Sequence, residues 1–531
     1  MIANFNEAPT AEFEADICIV GSGATGLSCA VEFLSTGLRV LVLEGGLRVL
    51  DEGAKDIHRA GLDGLLHKGI HEARERIVGG TTTTWGGQAL PFMKEDFAYR
   101  PWMQNSGWPF GRAELEPFYD RASHTLGIDA AVPFDVRPWK GAGIPEPVFE
   151  PDSLELFVTK WCRQPNFALR HGSAIAASET TTLLYNANAV ELVLDEPGGH
   201  VREVVIRSLS GRNGTVRAKQ VILAGGCVET ARLLLASRRQ MPVGVGNGYD
   251  LVGRYFQDHT ASIVGLMLPN VREEFHDVFD PFYLRGYKYF PRLRLSPARA
   301  RKREVLHASI QIVIPPDADE AIDASKALVR ALKTRRFDND AVLAAQRVAR
   351  RPLDLFRAAW RLAVKHRGIS SRRSPVWLEC QSEQEPDPAS RVRLDETETD
   401  KLGMPRVRLD WRVSEKTYET IREATILAAA QFSRSGLGIV VVDDWITTMS
   451  EDWRGQIGDV YHQCGTTRMG ASETSGVVDA DCHVYGVRNL SVASAAVFPT
   501  SSFSNPTMTA IALSIRLCDR IKSRMGIQWA R

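Results

Sequence analysis

Apolar and polar positions follow three different patterns along this chain. Near the N-terminus, Asp16-Ile17-Cys18-Ile19-Val20 and Val40-Leu41-Val42-Leu43 form short apolar runs. That is the pattern of strands buried on both faces of a parallel sheet. Between them Leu27 to Leu34 repeats with a helical period, and Gly37 stands where a helix C-cap belongs. Val221-Ile222-Leu223-Ala224 and Asn489-Leu490-Ser491-Val492-Ala493 repeat the buried-strand pattern far downstream, and the first precedes a predicted helix over 228–236. The middle of the chain reads differently, with strand-like alternation in 271–317 and 374–412. There His307, Ser309 and Gln311 share one face against Ala308, Ile310 and Ile312, and Trp377, Glu379 and Gln381 share one against Val376, Leu378 and Cys380. The third pattern lies in 320–375. Leu353, Leu355, Phe356, Trp360, Leu362 and Val364 intersperse a long series of arginines and lysines there, which predicts amphipathic helices.

Between the first two apolar runs lies Gly21-Ser22-Gly23-Ala24-Thr25-Gly26, and the second run ends at Glu44. Strand, glycine turn, helix, strand and acid in that order point to a nucleotide site. Gly21 permits the tight turn, Gly23 lets backbone approach a pyrophosphate, and Gly26 lets the helix pack close to the strand. The helix N-terminus offers free N–H groups and the positive end of its dipole. Glu44 can accept hydrogen bonds from ribose hydroxyls, which suits an unphosphorylated ribose and disfavours NADP. FAD and NAD both fit this motif.

Two further tracts change the picture. Gly79-Gly80-Thr81-Thr82-Thr83-Thr84-Trp85-Gly86-Gly87-Gln88 cannot pack a core, yet a solvent loop rarely needs an indole. Its hydroxyls and amides suit an extended polar ligand, as does the strand end at Ala224-Gly225-Gly226. Near the C-terminus, Tyr461-His462-Gln463-Cys464-Gly465-Thr466 and Ser504-Asn505-Pro506-Thr507 place a histidine and an asparagine in loops of small residues, on either side of a buried strand. A neutral histidine suits proton abstraction from an alcohol near neutral pH. Asn505 can donate to the same oxygen without competing for the proton. Pro506 predicts the first turn of a helix, whose N–H groups can stabilise negative charge.

The motifs together resemble the glucose–methanol–choline (GMC) family of FAD-dependent oxidoreductases. The resemblance covers nearly the whole chain and adds Gly107-Trp108-Pro109, Val252-Gly253-Arg254, Asp258-His259 and Gly476-Val477-Val478-Asp479 to the motifs above. It looks strongest toward the pyranose-oxidase and bacterial sugar-dehydrogenase side. It implies a His–Asn pair, His462 and Asn505, facing the flavin N5. It implies FAD contacts from Gly21, Ser22, Gly23, Thr25, Gly26, Glu44, Gly80, Thr81, Thr84, Trp85, Gly86, Gly87, Val190, Ala224, Gly225, Ser494, Ala495, Asn505, Pro506 and Thr507. Substrate contacts fall on Gln311, Trp377, Glu379 and Gln381 besides His462 and Asn505. Relatives with covalent flavin carry a histidine where this chain has Thr84, so the expected FAD is noncovalent. Ser494-Ala495-Ala496 departs from the Asp or Gly of many relatives and makes Ser494 the less typical contact.

The expected fold class is α/β, α+β overall. A Rossmann-like FAD-binding domain, discontinuous in sequence, surrounds an inserted substrate domain on a mainly antiparallel sheet covered by helices. The expected division is 1–100, 176–268 and 456–531 for the FAD-binding domain, 101–175 for a lid and connection, and 269–455 for the substrate domain, with the basic helical insertion 320–375. The expected reaction is oxidation of an alcohol on a sugar, glycoside or polyol to a carbonyl. Oxygen, a quinone or a redox protein serves as electron acceptor. The alternatives are a lyase of the same family that keeps FAD structurally, an NAD-dependent dehydrogenase, and a non-catalytic membrane-associated subunit.

Composition narrows the partners. The 531 residues are 44% hydrophobic with a net charge of +1, which supports a large core and gives no case for nucleic acid. The eight cysteines are scattered without a CxxC, so neither a disulfide framework nor a metal site is expected. The first fifteen residues lack an apolar h-region, and no run approaches the roughly 18 residues of a membrane span. The expected compartment is the cytoplasm. The basic segment can meet a membrane surface, but solvated helices over the substrate sheet are the favoured reading.

Overall fold

The computed structural model describes residues 1–195, 199–315, 324–325, 328, 331, 339–350, 352–368, 370–448 and 452–527. The apolar runs of the sequence become the centre of an eight-stranded sheet. Its order is Ile2–Asn4, Thr181–Tyr185, Val40–Glu44, Glu12–Val20, Asn213–Leu223, Val201–Arg207 and Asn188–Leu194, with Leu490–Val492 added on Asn213–Leu223. The strand Glu12–Val20 runs parallel to both neighbours, Ile17 opposite Val40 and Cys18 opposite Val221. Every residue of Val40–Glu44 is buried, as an uninterrupted apolar run requires in a sheet covered on both faces. The helix Ala24–Phe33 packs on this sheet and against the C-terminal helix Pro506–Arg524. Widely separated stretches of chain therefore close one sheet, so this half of the molecule is discontinuous in sequence.

The second sheet has nine strands in the order Gly438–Val442, Thr260–Pro269, Val376–Ser382, Ala308–Val313, Tyr287–Leu295, Leu154–Trp161 and Gln88–Ala89. Phe282–Leu284 and Gly458–Asp459 pair at its side. All its pairings are antiparallel. The helix Glu415–Arg434 covers one face, where Leu378, Cys380, Ile310 and Ile312 are buried. A small sheet of Arg391–Thr399, Pro405–Asp410 and Ala60–Leu62 ties the two halves together.

Two segments sit elsewhere than their sequence position suggests. Thr260–Pro269, expected with the nucleotide-binding strands, pairs with Val376–Ser382 in the second sheet. Leu154–Trp161, expected in a connection, pairs with Tyr287–Leu295 there. Their apolar composition suits either sheet, and the partner that assigns each lies far along the chain.

Within 320–375 the helices Asn339–Arg350 and Pro352–Lys365 form. Arg361 bonds Asp277 and lies 3.2 Å from Asp280, and Arg372 lies 3.0 Å from Asp280, so these cations hold the segment to the helix Arg272–Phe279 and its end. Arg330, Lys333, Arg335, Arg336 and Arg351 lie outside the described residues. Among the described residues no helix is long and apolar enough to cross a membrane.

Candidate active site

The glycine turn shapes one end of a cavity of about 700 Å³ between the two sheets. Gly21 has φ 110°, in the left-handed region that favours glycine, and a Cβ there would lie 2.5 Å from the Ala224 carbonyl oxygen. At Gly23 a Cβ would meet open space, and the helix Ala24–Phe33 starts there with no side-chain cap. Bare backbone and uncapped N–H groups thus face the cavity. Glu44 is buried beside them. Its carboxylate accepts from Ser22 Oγ at 2.7 Å, Ser22 N at 3.2 Å and Gly46 N at 2.7 Å. Burial raises its pKa, opposed by these bonds and by the charge of Arg76.

The threonine loop divides its labour. Thr82 bonds the Gly79 carbonyl at 2.6 Å and accepts from Phe167 N at 3.0 Å, so it holds the loop. Gly79 N donates to Ser22 Oγ at 3.1 Å, which joins the loop to the glycine turn. Trp85 is anchored through Nε1 to the Pro165 carbonyl at 2.8 Å. Gly80, Thr81, Thr84, Trp85, Gly86 and Gly87 line the cavity together with Thr82.

At the other end stand His462 and Asn505. Asn505 precedes the helix Pro506–Arg524, and its side chain makes no cap bond to that helix. Instead its Nδ2 lies 3.2 Å from His462 Nε2. His462 Nδ1 lies 2.9 Å from His259 Nδ1, and His259 Nε2 lies 3.0 Å from the Ser501 carbonyl. A carbonyl only accepts, so His259 carries its proton on Nε2. Burial, the first cause in each case, pulls the pKa of His259 down and that of His462 well down; for His462, His259 and Arg292 add to the effect. Both rings are therefore neutral, and His259 Nδ1 is a bare acceptor. His462 must donate from Nδ1, which leaves its Nε2 lone pair to Asn505 and the cavity. The chain Ser501, His259, His462 thus selects the tautomer that leaves Nε2 of His462 able to accept a proton.

The backbone of His462 is held as firmly. Tyr461 has φ 65°, a costly conformation for a bulky residue. Its hydroxyl donates to Glu72 at 2.8 Å, and His462 N donates to Asp258 Oδ1 at 2.8 Å. The other oxygen of Asp258 meets His67 Nε2 at 3.0 Å, while His67 Nδ1 lies 3.7 Å from Asp459. These three groups are close enough to hold a cation. Their carboxylates, however, already accept the N–H groups of His462, Lys68 and Gly69, which makes them a clamp on two loops.

Arg292 and Gln381 enter from the second sheet. Gln381 Oε1 accepts from Arg292 at 3.1 Å, and its Nε2 donates to Glu379 at 2.8 Å. Arg292 is buried, and burial lowers its pKa to about 10.

Of the expected contacts, Gly21, Ser22, Gly23, Thr25, Glu44, Ala224, Gly225, Ser494, Ala495, Pro506 and Thr507 line this cavity with the threonine loop, His462, Asn505 and Gln381. Gly26 does not. A Cβ there would lie 1.9 Å from the Gly21 carbonyl oxygen, so its part is close packing of helix on turn. Val190 points into the core instead, and Asn188 and Ala189 of the same strand line the cavity. Gln311, Trp377 and Glu379 lie on the sheet away from the cavity lining, and Glu379 acts through Gln381. His307, expected on a polar sheet face, is buried against Asp96 at 2.7 Å.

Sequence reasoning missed His259 and Arg292, and also the cluster of His58, Arg74, Arg76 and Glu229 at the nucleotide end. There Arg74, Arg76 and Arg232 hold Glu229 well below the carboxylate range despite its burial. Asp258-His259 and Arg74-Glu75-Arg76 were visible as clusters. Arg292 sits in a run with other basic residues and carries no sequence signal.

Comparison with known proteins agrees with this geometry. Residues 386–514 match the GMC oxidoreductase family. Paromamine 6'-oxidase of Streptomyces fradiae is 26% identical over 287 residues, 45% of this chain and 52% of that protein. The match thus spans about half the length of that relative. C-glycoside 3-oxidase of Microbacterium trichothecenolyticum is 33% identical over 130 residues, 24% of this chain and 23% of the relative. The crystal structure of formate oxidase superposes with a TM-score of 0.59 at 16% identity, covering 97% of this chain and 99% of the other, which establishes the shared fold. The chain is thus similar to the GMC oxidoreductase family over residues 386–514 and shares the fold of formate oxidase over nearly its whole length.

Proposed function

We propose that the protein oxidises an alcohol group on a sugar, glycoside or polyol to a carbonyl, with FAD bound noncovalently and His462 as general base. The observation that carries this reading is the bare Nε2 of His462, 3.2 Å from the Asn505 amide in the cavity that the nucleotide turn enters. The cavity fits FAD by its own chemistry. Open space at Gly23, an uncapped helix start and the Glu44 carboxylate suit the pyrophosphate and ribose, and Thr84 offers no imidazole for a covalent link. When bound, FAD supplies the hydride acceptor, its N5.

The chain's residues do the remainder. His462 Nε2 takes the hydroxyl proton, and Asn505 Nδ2 donates to the same oxygen and orients it. The uncapped start of Pro506–Arg524 presents N–H groups and a positive dipole end to the cavity at Pro506 and Thr507. Gln381 and Arg292 meet the substrate from the second sheet. We assign nucleotide binding to the first sheet and substrate binding to the second. C-glycoside 3-oxidase, among the relatives, bears a glycoside in its name. Oxygen, a quinone or a redox protein completes turnover as electron acceptor. The buried free cysteines suit the cytoplasm.

Anaerobic mixing with sugars, glycosides and simple alcohols tests this through bleaching of flavin absorbance. His462→Ala slows the bleaching about 10²–10⁴-fold while FAD stays bound. Bleaching at the wild-type rate in that variant refutes the base, and loss of FAD makes the histidine a structural residue.

A further inference from the structure

At the His462 end of the cavity stands a cation that Glu379 attracts but no carboxylate pairs with among the described residues. Arg292 is 6% exposed and lines the cavity. It makes no ion pair among the described residues. Its hydrogen bonds go to two neutral amide oxygens, Gln381 Oε1 at 3.1 Å and Gln88 Oε1 at 3.4 Å. Its Nε is buried with no partner.

A buried guanidinium is costly unless paired, so proteins give it a carboxylate. Arg468 and Arg367 are also buried without an ion pair among the described residues, but neither lines this cavity, and two other buried arginines do follow the rule. Arg100 holds Glu383 at 2.6 Å and Arg232 holds Asp400 at 2.7 Å. Glu379 attracts Arg292 but forms no ion pair with it, and its carboxylate accepts from Gln381 and Gln311 instead. Glu379 also settles the orientation of the Gln381 amide, turning Nε2 toward itself and Oε1 toward Arg292. The second sheet thus aims a fixed, partly unsatisfied fork of donors at the space beside His462. Planar bidentate donors of that kind match a carboxylate.

We propose that Arg292 binds a carboxylate on the substrate, so that the preferred substrates are sugar acids of the uronate type. Their hydroxyl is oxidised at His462 and Asn505 while the carboxylate pairs with Arg292. The inference rests on the alcohol-oxidation reading above and narrows its substrate class. It is tested with matched pairs that differ only in charge: glucose with glucuronate, and methyl glucoside with methyl glucuronide. Anaerobic flavin reduction gives kcat/KM, and titration calorimetry gives Kd independently of turnover. The acid of each pair is expected to exceed its neutral partner by about 10–100-fold in both measures, the usual value of charge-assisted hydrogen bonds. Arg292→Gln brings that ratio to about one, and Arg292→Lys restores part of it, with the loss appearing in KM. A neutral sugar that equals or exceeds its acid overturns the proposal. So does an Arg292→Gln variant that slows both members equally, which would make the cation a stabiliser of the reaction. Arg292-dependent binding of glucuronate with no flavin reduction by any alcohol leaves the carboxylate subsite standing and removes the oxidation reading instead.

Discussion

At the residue scale, function here is a matter of which nitrogen carries a proton. The proposed base role of His462 depends on its Nδ1–H being spent on His259, and His259 is an acceptor only because Ser501 takes its Nε2–H. His259→Phe removes that acceptor and leaves Nδ1 unpaired. Flavin reduction by the alcohol is expected to slow about 10–100-fold with FAD content unchanged, as for other groups that orient a functional imidazole. A wild-type rate in stopped-flow reduction would show that the tautomer needs no partner. A pH prediction follows from the same contacts. Burial and the neighbouring His259 and Arg292 hold His462 well below 6.5. A depressed pKa keeps the neutral, proton-accepting form populated as pH falls through 6.5, and the base is lost only below that value. The acid limb of kcat/KM is therefore expected below pH 6.5, and a limb centred at or above 6.5 would contradict the burial of this ring.

At the element scale, the residues that matter do so by letting elements meet. Gly26 touches no ligand space, yet a methyl group there would collide with the Gly21 carbonyl and push the helix Ala24–Phe33 off the turn. Gly26→Ala is expected to cost about 1–3 kcal/mol or more and to lower the ratio of flavin to protein absorbance in the purified protein. Normal flavin content and an unchanged Tm would place the helix farther from the turn than the geometry allows. The segment Ser501-Ser502 shows the same dependence on neighbours. Ser502 has φ 56° and is held by Asp96 through its hydroxyl at 2.9 Å and by Glu383 through its N–H at 3.3 Å. Arg100 in turn grips Glu383 with both terminal nitrogens, at 2.6 and 2.7 Å. A buried ionic network thereby aims the Ser501 carbonyl at His259, so that residues packed beside the second sheet also set the tautomer of His462.

At the scale of the molecule, the cavity is walled by segments from the beginning, middle and end of the chain. A ligand that fills it holds all of them and stabilises the fold by mass action. Removal of FAD is therefore expected to lower Tm, and re-addition to restore it. Acid precipitation should release yellow FAD to the supernatant, since Thr84 offers no imidazole. Flavin retained on the pellet would show a covalent bond.

The sequence by itself determined the strand, glycine turn, helix and strand at the start of the first sheet. Glycine spacing, the acid at the strand end and the proline at the helix start act within a few residues, through steric limits and local hydrogen bonding. His462 and Asn505 were legible for a related reason, since the small residues around them mark backbone that comes close to something else. Tertiary structure alone decided the rest. Val190 and Asn188 are two positions apart on one strand, yet Asn188 lines the cavity and Val190 packs in the core, because the pairing shifts register between Ala189 and Glu191 and breaks the alternation there. Trp377 and Glu379 share a sheet face with Gln381, but only Gln381 reaches the site. His259 becomes a positioning residue through a carbonyl at Ser501 and a ring at 462, far along the chain. Arg292 stands out only because no carboxylate pairs with it among the described residues, and the pairing of charges depends on distances in space that spacing along a chain does not encode.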